Sequence, residues 1–224
     1  MAKMPITDNV KTIKAAIFDL DGTMVDNMMT HHEAWQKKLL ECGLTLTIEE
    51  VKESVHGINE EILERLFGSK YTPEERKQLS REKEETYRNH FASKLTLVPG
   101  LIYFIKTLEE QNIDLAIASA APTENVDFVV DGLNIRHHFS YILHSEHVSK
   151  GKPDPEIYIK AAKLLKQKTE DCIVFEDSPT GAKAASAAGC PIVIVTTTHT
   201  PEEFKNIKGI INFINNFEGF VLNR

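Results

Sequence analysis

Ala15-Ala16-Ile17-Phe18-Asp19-Leu20-Asp21-Gly22-Thr23 is an apolar run that stops on two carboxylates and a turn residue. Its first four residues are continuous rather than alternating, the pattern of a strand buried on both faces of a parallel sheet. Leu115-Ala116-Ile117-Ala118, Tyr141-Ile142-Leu143, Cys172-Ile173-Val174-Phe175 and Ile192-Val193-Ile194-Val195 repeat that pattern. Helix signals lie between the runs. Leu101, Phe104, Ile105 and Leu108 stand at helical spacing. Asp154-Pro155 and Ser178-Pro179 each place a polar cap before a proline, and Gly189 is placed to end the second of these helices. Such alternation predicts an α/β fold with a doubly wound parallel sheet and right-handed crossovers. Phe213, Phe217 and Phe220 are expected on a last strand and helix.

One interval breaks the alternation. About ninety residues separate the first run from the second, too many for a single crossover helix. Met28, His31, Trp35 and Leu39 share a helical face, and Thr47 with Glu50 and Thr72 with Glu75 have the spacing of capping boxes. Asn59 is expected to cap the Ile62-Leu63-Leu66-Phe67 stretch, with Gly68 ending it. The segment from Arg76 to His90, with only Leu79 and Tyr87 apolar, reads as a solvated outer helix. The expected organisation is an α/β core of residues 1–26 and 97–224 carrying a small helical cap of residues 27–96.

The bulk composition narrows the partners. A net charge of −7 disfavours a nucleic-acid surface and gives phosphates no general attraction, so a phosphate site must be assembled locally. No apolar run approaches the ~20 residues of a membrane span. Cys42, Cys172 and Cys190 are too few and too far apart for a disulfide framework or zinc knuckle. Residues Met1 to Val10 lack a signal-peptide core, and a cytoplasmic protein is expected, monomeric or weakly oligomeric.

Ligands in open α/β sheets bind outside the carboxyl ends of the strands. Here those ends carry Asp19-Leu20-Asp21-Gly22-Thr23, then Ser119, then a loop with Lys150 and Lys152, then Glu176-Asp177. Clustered carboxylates call for a hard cation with oxygen ligands, Mg²⁺ first. That cation also offsets the repulsion between an attacking carboxylate and a phosphate. In this reading Asp19 is the nucleophile and forms an aspartyl-phosphate, and Asp21 is the proton donor and acceptor. Ser119 and Lys152 hold the non-bridging oxygens, while Glu176 and Asp177 complete the metal shell. Each motif alone has an ordinary explanation as a strand end, a surface lysine or a helix cap. A calcium loop is disfavoured, because Met24 stands where it needs glycine and Thr30 where it needs glutamate. The joint occurrence at successive strand ends decides for one site.

Phe18-Asp19-Leu20-Asp21-Gly22-Thr23, Ile117-Ala118-Ser119-Ala120, Lys152 in Lys150-Gly151-Lys152-Pro153-Asp154-Pro155, and Phe175-Glu176-Asp177-Ser178-Pro179-Thr180-Gly181 occur in that order. They resemble the four motifs of the haloacid dehalogenase-like superfamily, and within it the β-phosphoglucomutase-like phosphatases. The resemblance covers nearly the whole chain, helical cap included. It implies Asp19 as nucleophile, Asp21 as general acid/base, and Ser119, Ala120 and Lys152 as phosphate ligands. It places Mg²⁺ on Asp19, the Asp21 carbonyl and Asp177, with Glu176 nearby. Asp21 argues against a dehalogenase, which lacks that second aspartate. The cap departs from the mutase pattern: where a lysine and an arginine flank the cap glycine of the mutases, His56 and Glu60 stand around Gly57-Ile58-Asn59. Asn27 likewise replaces a common serine or threonine.

His31, on the Trp35 face, is retained with His56 and Gly57 as a candidate for lining the substrate pocket, and the other histidines are read as surface or half-buried groups. The expected activity is Mg²⁺-dependent hydrolysis of a small phosphorylated metabolite. The alternatives are a β-phosphoglucomutase-type mutase and a non-enzymatic relative that binds a phosphorylated ligand or a partner.

Overall fold

The computed structural model of the chain describes residues 13–55 and 57–222. It comprises two compact units, Met1–Asp26 with Thr96–Arg224, and Asn27–Leu95. In chain order, β1 (Ala15–Phe18) is followed by the helices of the second unit: α1 (Met28–Glu41), α2 (Ile48–Ser54), α3 (Asn59–Phe67) and α4 (Pro73–Phe91). The first unit resumes with α5 (Leu101–Glu110), β2 (Asp114–Ala118), α6 (Thr123–Gly132) and β3 (Tyr141–Leu143). It continues through α7 (Glu156–Leu164), β4 (Cys172–Glu176), α8 (Pro179–Ala188), β5 (Ile192–Val195) and β6 (Ile210–Ile214). The six strands form one parallel sheet in the order β3-β2-β1-β4-β5-β6.

This is the doubly wound α/β core with an inserted helical unit that the apolar runs imply. Strand alternation sorts the side chains into two buried layers. Ala15, Ile17, Cys172, Val174, Ile192 and Ile194 face Ile157, Tyr158 and Ala161 of α7 and Ala182, Ala184 and Ala185 of α8. Phe18 and Phe175 belong to the opposite layer, stacked at 4.7 Å between centroids, with Phe104 of α5 and Phe217 packed edge-on or tilted against them. Both faces are covered, so continuous apolar strands are what the sheet needs. Ser178 caps α8 through the Gly181 N–H (3.0 Å), Pro179 takes the first turn, and Gly189 ends it in the left-handed region at φ +81°.

In the helical unit both capping boxes form, at Thr47/Glu50 and Thr72/Glu75. Trp35 and Leu39 of α1 pack on Val51, Ile62 and Leu63. Four local expectations are corrected. The α4 helix is not a solvated outer helix: Ser80, Lys83, Glu84, Tyr87 and Phe91 are buried along one face. The two charges on that face are paired, the Lys83 ammonium lying 2.9 Å from Glu84 Oε1 and 2.9 Å from His31 Nδ1, while Glu74, Glu75, Lys77, Arg81 and Glu85 on the rest of the helix are exposed. Asn59 does not cap α3; it is the first helical residue, and its Nδ2 donates to Glu84 Oε1 at 2.6 Å. Pro155, not Asp154, occupies the cap position of α7, although Asp154 still accepts from the Glu156 N–H at 3.0 Å. Finally, no helix follows β6 among the described residues; Phe217 and Phe220 reach the aromatic layer from a turn.

Candidate active site

The register of the sheet assembles the site. Phe18 pairs with Ile117 on one side and Phe175 on the other, so the residues just beyond β1, β2 and β4 leave the sheet at one edge. The Asp19 N–H donates to the Phe175 carbonyl at 3.0 Å, which places Asp19 beside Glu176. Alternation continues into this edge: Asp19 follows Ala15 and Ile17, and Glu176 follows Cys172 and Val174, toward the layer of α7 and α8.

Asp19, Glu176 and Asp177 are buried, and each offers a carboxylate oxygen within 4.8 Å of the others. Lys152, its side chain 6% exposed, sits among them with Nζ 2.6 Å from Asp19 Oδ1 and 2.8 Å from Glu176 Oε1. Glu176 is the most heavily bonded of the three. Its Oε1 also accepts from the Tyr158 hydroxyl (3.0 Å), and its Oε2 accepts from the N–H of Asp177 (2.9 Å), the N–H of Ser178 (2.9 Å) and the Ser178 hydroxyl (3.1 Å). Asp177 accepts from the Thr23 hydroxyl at 3.3 Å and from the Thr198 hydroxyl.

The electrostatics follow from that packing. Burial, reinforced by the charges of Glu176 and Asp21, pushes the Asp19 carboxyl up to about 7 against the pull of Lys152. Burial, then Glu176 and Asp19, raises Asp177 well above the usual carboxylate range. Glu176 goes the other way: burial opposes its charge, but the Lys152 ammonium and its hydrogen bonds outweigh it. Burial also opposes the charge on Lys152, and the Asp19 and Glu176 carboxylates overcome it, raising its pKa well above the ordinary value.

With all three carboxylates ionised, the one ammonium leaves the cluster two positive charges short of balance. The donor set is all oxygen, and opposite ligands of an octahedral Mg²⁺ lie about 4 Å apart. The cluster therefore fits a hard divalent cation in charge, ligand type and size.

Other sequence candidates lie as follows. Asp21 is partly exposed and stands outside the three-carboxylate group, in the turn where the Gly22 N–H donates to the Val25 carbonyl at 2.8 Å. Ser119 is buried, and its Oγ accepts from the Ala121 N–H at 3.0 Å, while Ala120 is exposed. Lys150 does not join the cluster; it is exposed, and its N–H is held by Glu156 at 3.0 Å. His31 and Gly57 belong to the helical unit. His31 is buried and stacked on Tyr87 with centroids 3.7 Å apart, and Gly57 is exposed with φ +98°. His56 lies outside the described residues.

Two contributors carry no signal in the motifs. The loop after β5 supplies Thr198, bonded to Asp177, and Thr197, whose hydroxyl donates to the Gly22 carbonyl. A Cβ at Gly22 would come within 2.1 Å of Asp177 Oδ2, and the residue's φ of +80° already favours glycine. The run Thr196-Thr197-Thr198 at a strand end is the one clue to this contribution.

Comparison with known proteins accords with this geometry. The family model of haloacid dehalogenase-like hydrolases matches residues 13–189. The chain is 34% identical over 186 residues to β-phosphoglucomutase of Bacillus subtilis, covering 79% of this chain and 80% of that protein. It is 27% identical over 179 residues to a fructose-1-phosphate phosphatase of Escherichia coli, covering 80% and 94%. Among solved structures, a haloacid dehalogenase-family hydrolase from Entamoeba histolytica superposes with a TM-score of 0.86 at 28% identity, covering 94% and 96%. The chain belongs to the haloacid dehalogenase-like hydrolase family.

Proposed function

We propose that this chain is a phosphatase of small phosphorylated metabolites that works through an aspartyl-phosphate on Asp19. The observation that carries the reading is the buried Asp19 carboxylate at the end of β1, paired with Lys152 at 2.6 Å and set beside Glu176 and Asp177. An Asp19 oxygen attacks phosphorus, and the bond to the leaving alkoxide breaks as Asp21 protonates it. Asp21 then takes a proton from water as that water attacks the acyl phosphate, which frees inorganic phosphate and restores Asp19. Lys152, the Ser119 hydroxyl and the Ala120 N–H hold the non-bridging oxygens while charge builds on them. Asp19, Asp177 and the Asp21 carbonyl would hold Mg²⁺, with Glu176 beside them, and the ion when bound offsets the repulsion between carboxylate and phosphate.

The relation to β-phosphoglucomutase favours a second reading, in which the phosphoryl group returns to another hydroxyl of a sugar. That reaction needs a lasting cation for a second phosphate. Glu60 has the wrong charge for this, and Lys83 is paired with Glu84 inside the helical unit. Hydrolysis is therefore the reading adopted.

The test is phosphate release with Mg²⁺ across sugar phosphates, nucleotides, phosphoglycolate and pyrophosphate, with β-glucose 1-phosphate followed in parallel for glucose 6-phosphate. Free phosphate from one or a few of them is the expected result, and isomerisation without release would establish the mutase. Asp19→Asn should lose at least about a thousandfold in kcat with an unchanged circular dichroism spectrum. Substantial turnover in that variant would remove Asp19 from its role.

A further inference from the structure

The catalytic groups assigned above leave Tyr158, a buried polar side chain of the cluster, without a task. Tyr158 of α7 is 0% exposed, lies in the layer beneath the sheet, and spends its hydroxyl on Glu176 Oε1 at 3.0 Å. Phenylalanine would fill the same volume without the cost of burying a hydroxyl. Burial raises the Tyr158 pKa well above the ordinary value, so the group stays a donor.

We infer that Tyr158 is a positioning residue for phosphoryl transfer: its hydroxyl fixes the Glu176 carboxylate, and Glu176 in turn aims Lys152 at Asp19. The inference rests on the phosphatase reading of the same site. Three observations support it. The Glu176 carboxylate receives five donors, two on Oε1 and three on Oε2, so it cannot turn without breaking several bonds. A Cβ at position 181 would come within 1.5 Å of Oε1, so the backbone of α8 leaves room for that oxygen only because residue 181 is glycine. The Lys152 ammonium lies over the Tyr158 ring, 4.9 Å from its centroid, as well as 2.8 Å from Glu176.

Lysine is a point charge on a flexible stem, so its direction must come from what surrounds it. Once a phosphate is at Asp19, the Lys152 ammonium is shared between that phosphate and its present partners. Glu176 Oε1 and the Tyr158 ring are then the contacts that keep it aimed. The hydroxyl of Tyr158 holds Oε1 in place throughout.

A double-mutant cycle tests this, because a residue acting through another loses its effect when the other is disabled. In Glu176→Gln the two backbone N–H donors claim the amide oxygen, which leaves an NH₂ facing Lys152 and Tyr158. Tyr158→Phe should lower kcat/KM about tenfold in the native background and less than about twofold in the Glu176→Gln background. Affinity for inorganic phosphate with Mg²⁺, measured by calorimetry, should fall by a similar factor in Tyr158→Phe and in Glu176→Gln. An equal loss in both backgrounds, or no loss in either, would overturn the inference. The calorimetric arm needs no substrate, so it remains decisive if the panel of phosphate esters yields no turnover. Should Tyr158→Phe fail to fold, unchanged phosphate affinity in Glu176→Gln alone overturns the aiming role.

Discussion

At the scale of single residues, Asp19 carries the sharpest consequences. With its carboxyl pushed up to about 7 from 3.8, the folded chain binds this proton more tightly than the unfolded chain does. The folded state therefore holds more protons through that window, and this contribution to stability is present below about pH 4 and lost as pH rises toward 7. Asp177, also raised, acts in the same direction, while Glu176, lowered, opposes it at the acid end. Cation-free protein is thus expected to melt at a higher temperature at pH 6 than at pH 8, with Mg²⁺ shrinking the difference. Calorimetry in buffers of different ionisation enthalpy should detect proton release on Mg²⁺ binding at pH 6, and less at pH 8.5. Absence of any release would contradict a protonated cluster. Gly22 sets a second expectation. An added methyl meets Asp177, so Gly22→Ala should cost at least about a hundredfold in kcat/KM, read from steady-state kinetics with folding checked by circular dichroism.

At the scale of elements, what was legible depended on whether a partner lay nearby in sequence. The five apolar runs form strands because both faces of the sheet are covered, so no polar face complicates the pattern. The capping boxes were legible for the same reason, each being complete within four residues. Asp19, Glu176 and Asp177 were readable as strand-end groups, since the sheet register alone brings such ends together, while Lys152 reaches them from the loop after β3. The buried face of α4 was not. Lys83 finds His31 across 52 positions and Glu84 finds Asn59 across 25, so a charged sequence conceals a buried helix face. Thr197 and Thr198 were hidden in another way, because a hydroxyl in a loop becomes informative only when its acceptor is known. Breaking the α4 pair should be costly: Glu84→Ala leaves Lys83 without its carboxylate and should destabilise by about 3–5 kcal/mol in urea unfolding. The double change Lys83→Met with Glu84→Leu should recover much of that loss.

At the scale of the molecule, the proposed reading sets a single buried ammonium, Lys152, against phosphate in a chain of net charge −7. One firmly held cation suits one phosphate. Addition of glucose 1,6-bisphosphate is accordingly expected to leave phosphate release from sugar monophosphates unstimulated, as a coupled phosphate assay would register. Marked activation would return the mutase reading to first place.

The Val98 N–H donates to the Met24 carbonyl at 2.9 Å, which ties together the two points where the first unit's chain is interrupted by Asn27–Leu95. An insertion whose entry and exit are stitched side by side behaves as a cassette. Helical modules of different length can be accommodated at that seam without disturbing the strands that carry Asp19, Glu176 and Asp177. The carboxylate cluster then depends on the register of the sheet, and the inserted segment can change in length without moving it.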